Sequence, residues 1–113
     1  MNIPDAITAF RQAAVAKAEF SVPAARDHAL HAEMARAWQV LSSHGPPGLE
    51  AFRVLLSDPS PHVRCWTASQ LLALGHEHAF AVLEALVADD GPCSFSSKIV
   101  LREWRAGGLK PPL

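Results

Sequence analysis

Six histidines and two cysteines are the residues best suited to chemistry in this chain. His28 and His31 are three apart, a spacing that puts two imidazoles on one face of a helix, within reach of a shared metal. His76 and His78 bracket one residue after Gly75. Neither pair has a nearby carboxylate or thiolate to complete a four-ligand set, and no HExxH is present. The expectation is therefore no metal and no cofactor. His44 falls at the end of a predicted helix, where a protonated imidazole meets the negative end of the dipole. Cys65 and Cys93 form no CxxC pair, so they read as reduced, largely buried thiols, with a single disulfide conceivable. Ser94, Ser96 and Ser97 cluster beside Cys93 and read as helix caps. Asp89-Asp90 is an adjacent acid pair in a turn, which does not converge as a catalytic dyad. There is no GxSxG and no phosphate-binding glycine loop. Catalytic residues are assigned to none of these positions, and a non-enzymatic protein is expected.

These side chains must be held by helices. The chain has 113 residues, a formal net charge of −1, 50% hydrophobic and 19% charged residues, which excludes disorder and suits one domain. The near-neutral balance argues against a dedicated nucleic-acid or anionic-membrane binder. No signal peptide or membrane-length apolar run is visible, so a cytoplasmic protein is expected. Proline and glycine cut the chain into six pieces with helix-boundary character. At 100° per residue, residues 5–20 gather Ile7, Phe10, Ala14 and Ala18 on one face. Residues 24–43 gather Leu30, Met34, Ala37 and Leu41, with Trp38 flanking. Residues 47–57 bring Leu49, Phe52 and Leu56 together, and residues 77–88 bring Ala79, Phe80, Leu83, Leu86 and Val87. The piece 60–74 carries two ridges, Val63/Thr67/Leu71/Leu74 and Cys65/Ala68/Leu72. The piece 92–106 places Phe95, Ile99 and Ala106 opposite Val100 and Trp104. One-sided helices alternating with two-sided ones predict stacked hairpins. A shift of 32 residues superposes Asp58 on Asp90, Val63 on Phe95, Ala68 on Val100, Leu72 on Trp104 and Gly75 on Gly107, an internal repeat.

Asp58-Pro59-Ser60-Pro61-His62-Val63-Arg64, followed by Ala68 and Leu71-Leu72-Ala73-Leu74-Gly75, resembles the signature of a HEAT repeat. The resemblance implies an all-α fold, an α-α superhelix of about six helices in three stacked antiparallel hairpins with right-handed sense. Residues 46–75 are the best-matching repeat, 1–45 a degenerate preceding hairpin and 76–108 a capping repeat. It also implies a structural polar pair between Asp58 and Arg64, a ladder that stops at Ser96. The closing Leu101 to Leu109, with the length, resembles small bacterial HEAT-like proteins known only as a domain of unknown function. By analogy with small HEAT-like or armadillo-like immunity proteins, a bacterial toxin is one implied partner.

Recognition is then the expected function. His62, Trp66 and Ser69 lie between the ridges of the fourth helix, and the 32-residue shift maps the last two onto Lys98 and Leu101, with Arg105 one turn on. These six are the expected partner-binding surface, since tryptophan and arginine are enriched at hot spots. Trp38 and Trp104 are assigned to the core. The expectation is a protein-protein interaction module, monomer or homodimer, with no nucleic acid or membrane partner. A homo-oligomerising unit sealed through Val54, and a nucleic-acid-binding helical repeat, are the alternatives.

Overall fold

A computed structural model describes residues 1–113 as six α-helices and one 3-10 turn, with no strand. No helix is long and apolar enough to cross a membrane. The helices fall into two compact units, Met1–Val54 and Leu55–Pro112. The division lies between the third helix and the 3-10 turn, inside the segment 46–75 expected to form one repeat.

The first unit holds α1 (Ile3–Lys17), α2 (Ala24–Ser43) and α3 (Pro46–Val54). Asn2 starts α1 by accepting a hydrogen bond from the Asp5 amide at 2.8 Å, and proline occupies the first turn. The buried positions are Ala6, Phe10, Ala13 and Ala14 on α1, and Leu30, Met34, Ala37 and Leu41 on α2. The α2 stripe is the expected one. On α1 the buried face is rotated, so Ile7 is half-buried and Ala18 exposed. Small alanines on α1 let the two helices pack closely. Phe52 of α3 closes this core, edge-on to Phe10 at 5.2 Å and tilted against Trp38 at 4.8 Å. Lys17 Nζ donates to Asp27 Oδ1 at 2.7 Å across the α1–α2 connection, and that bond lowers the Asp27 pKa.

The second unit begins with the 3-10 turn Leu55–Ser57, followed by α4 (Pro61–Ala73), α5 (Ala79–Ala88) and α6 (Ser94–Arg105). α4 packs against both other helices. Every residue from Thr67 to Leu72 is buried, together with Val63 and Cys65. Two apolar ridges demand such a central position, although Leu74, assigned to one ridge, is 44% exposed. α4 and α6 end alike. Gly75 (φ +94°) and Gly107 (φ +78°) take the left-handed conformation that glycine adopts without a Cβ penalty. Each turns the chain so that two amides fold back on the last turn. Gly75 N–H donates to Leu72 O and His76 N–H to Leu71 O, as Gly107 N–H does to Trp104 O and Gly108 N–H to Glu103 O.

The buried side of α6 differs from expectation. Ser94, Ser97 and Leu101 face inward, while Phe95 is 72% exposed. The serines are not caps. Ser94 Oγ donates to Val87 O at 3.2 Å, and Ser97 Oγ meets Cys65 Sγ at 3.6 Å. Small hydroxyls that satisfy themselves locally can be buried without an apolar signature in the sequence.

Candidate functional site

Asp58 and Arg64, expected as a polar pair, flank the turn that leads into α4. Asp58 is buried, and its Oδ2 accepts from the Ser60 amide at 3.0 Å, tightening the turn ahead of α4. Ser60 Oγ in turn accepts from Val63 N–H at 3.4 Å as the N-cap. Arg64 is half-buried, its Nε has no hydrogen-bond partner, and its charge acts on Cys93.

The six expected partner-binding residues divide between two hollows of the second unit. His62, Trp66 and Ser69 line a cavity of about 310 Å³ together with Cys65, Cys93 and Val100. Lys98, Leu101 and Arg105 line a second hollow of about 230 Å³ closed by Glu84, Val87 and Ala88. Ser69 and Leu101 are buried, so neither contributes to an open surface. Ser69 Oγ donates back to Cys65 O at 2.7 Å, a bond internal to α4. Trp66 is half-buried, as are Trp38 and Trp104, which were assigned to the core.

The outer side of α6 has a face of its own. Phe95, Lys98, Arg102 and Arg105 are all exposed. Their spacing puts them on one side of the helix at about 100° per residue. Arg105 lies over the ring of Phe80 at 5.4 Å from its centroid, and Trp104 tilts against the same ring at 5.2 Å. The guanidinium is thus held by a cation–π contact while facing solvent. Phe95 and Arg102 were missed as members of this face. Their spacing from Lys98 and Arg105 was visible, but Phe95 was grouped with Ile99 and Ala106 as an apolar side of the helix.

The first cavity brings a histidine and both cysteines together. Cys93 Sγ lies 3.3 Å from His62 Nδ1, and Cys65 Sγ lies beside Ser97. Burial pushes the Cys65 thiol up. Burial also pushes Cys93 from its ordinary 9.0 to about 11, with the neighbouring Cys65 adding to the rise and Arg64 opposing it. Both thiols are free. The grouping was hidden in the sequence because its members come from the heads of two helices. The signal that points to it is the repeat, since His62 maps beside Cys93 under the 32-residue shift.

The remaining histidines are dispersed. His28 is exposed and His31 half-buried on α2, and the His76 and His78 rings meet edge to face at 5.9 Å. No group of three or more histidine, cysteine or acidic side chains is placed to hold a metal ion. Comparison with protein-family models, curated proteins and solved structures finds no match.

Proposed function

We propose that the chain is a non-enzymatic protein-binding module built on a short HEAT-like helical stack, and that the outer face of α6 receives an acidic protein partner. The observation that carries this reading is the exposed Phe95, 72% open to solvent, in line with Lys98, Arg102 and Arg105. An exposed aromatic among cations offers apolar area, cation–π contact and charge steering on one rigid element. Holding Arg105 over Phe80 reduces the entropy lost when a partner binds it.

The repeat architecture is supported by two features. The glycine-ended helix termini at Gly75 and Gly107 have the same hydrogen-bond pattern. Cys65 and Ser97, 32 residues apart, touch directly, as equivalent positions of neighbouring repeats would. Neutralising a bacterial toxin is the narrower form of the binding reading, and this face would require an acidic surface on that toxin. A homo-oligomeric unit is the second reading, favoured by Val54, which is 64% exposed at the end of α3.

Sedimentation over a hundredfold range of concentration separates the two. A partner-binding module stays at one mass. A homo-oligomer gains mass with concentration and loses that gain on Val54→Lys.

A further inference from the structure

We infer that the cavity of the second unit is a thiol–disulfide site, in which Cys93 attacks a small-molecule disulfide, His62 takes its proton, and Cys65 resolves the product into an intramolecular Cys65–Cys93 disulfide. Three observations meet here. Cys93 Sγ and His62 Nδ1 are 3.3 Å apart, the arrangement by which an imidazole accepts a thiol proton as the sulfur attacks. Cys65 and Cys93 line the same cavity, so the second thiol shares the enclosure of the first. The cavity, about 310 Å³, matches the lower end of small-molecule sites, and its rim residues Pro92 and Ser96 are exposed.

The chemistry balances without a metal. Cys93–SH and a disulfide RSSR give the mixed disulfide Cys93–S–SR and one RSH, the Cys93 proton passing through His62 to the departing thiolate. Cys65–SH then attacks the Cys93 sulfur, giving Cys65–S–S–Cys93 and a second RSH. Two protein thiols are oxidised, and one disulfide is reduced to two thiols. A buried, neutral Cys93 makes the imidazole decisive, because little thiolate exists until a base removes the proton. The disulfide joins α4 to the head of α6 and closes the chain segment that contains α5. It thereby constrains the unfolded chain and raises the stability of the oxidised form. This inference is independent of the partner face on α6.

The probe is 4,4′-dithiodipyridine, a compact aromatic disulfide whose released thione absorbs light. Wild-type protein is expected to release two equivalents and end two hydrogens lighter, with no adduct retained. Cys65→Ser is expected to release one equivalent and keep one thiopyridine on Cys93. Cys93→Ser should react at least about tenfold more slowly, and His62→Ala should slow the first equivalent by at least about tenfold. Far-UV circular dichroism of each variant confirms helicity before the rates are read. The oxidised wild type should melt ~10 °C above the reduced form. Adducts retained on both cysteines of the wild type overturn the proposal, as does a first-equivalent rate that Cys93→Ser or His62→Ala leaves unchanged. Should His62→Ala unfold, His62→Gln, which cannot accept the proton, takes its place with the same expected slowing.

Discussion

At the scale of single residues, Asp58 and Arg64 of the second unit differ in what they are seen to do. Asp58 accepts from the Ser60 amide, and the Nε of Arg64 has no hydrogen-bond partner. Replacing Arg64 by methionine removes the unpaired Nε and keeps an apolar stem of similar length, so stability should stay within ~1 kcal/mol of wild type or rise. A polar clasp to Asp58 would instead make the same change cost ~1–3 kcal/mol, and urea denaturation distinguishes the two. The thiols give a pH-dependent prediction. Cys93 is protonated in both the folded and unfolded chain below its ordinary 9.0, so the stability linked to it is fully present there. Above that, the unfolded chain loses the proton first, and the contribution is lost until the folded thiol ionises at about 11. Reduced wild type should therefore lose stability from pH 9 to 11 more steeply than Cys93→Ser. Equal slopes would show that the thiol's surroundings do not favour its neutral form.

At the scale of elements, the helices were legible and their less apolar faces were not. Proline and glycine mark all six helices in the sequence, and the α2 stripe is the buried one residue for residue. The error on α6 has a physical cause. Its inner side is made by Ser94, Ser97 and Leu101, and hydropathy does not distinguish a buried serine that donates to a carbonyl from an exposed one. Phe95 was instead placed with Ile99 and Ala106 on an apolar side and matched to the ridge residue Val63 by the 32-residue shift. Turn chemistry also has two layers. Ser60 Oγ caps α4 while the Asp58 carboxylate accepts from the Ser60 amide in the turn before it. Ser60→Ala should cost ~0.5–1 kcal/mol through the lost N-cap, measured by thermal unfolding. The packing of α3 on α2 makes a stronger prediction. A Cβ at Gly48 would overlap the backbone carbonyl of Leu41, which cannot move aside as a flexible side chain would. Gly48→Ala should destabilise the protein by more than ~2 kcal/mol, although alanine is the better helix former. A neutral or stabilising result would show that α3 does not approach α2 so closely.

At the scale of the molecule, charge is nearly balanced in total and uneven in place. The net charge is −1, yet α6 presents three cations on one exposed side. Binding that depends on such a face should weaken with salt, because exposed charges separated by more than a Debye length of ~8 Å at physiological ionic strength are largely screened. The composition concealed this face, and only the helical phase of α6 with the exposure of Phe95 defines it. The most direct test places the photo-crosslinking residue benzoylphenylalanine at position 95 and irradiates the protein in extract of its native host. The captured protein is then purified, and its affinity is measured for wild type and for the combined Lys98→Glu, Arg102→Glu and Arg105→Glu variant. An acidic partner is expected, with an affinity that falls by at least about a hundredfold on charge reversal and declines with added salt. A captured partner that binds the reversed variant as tightly as wild type would contradict it.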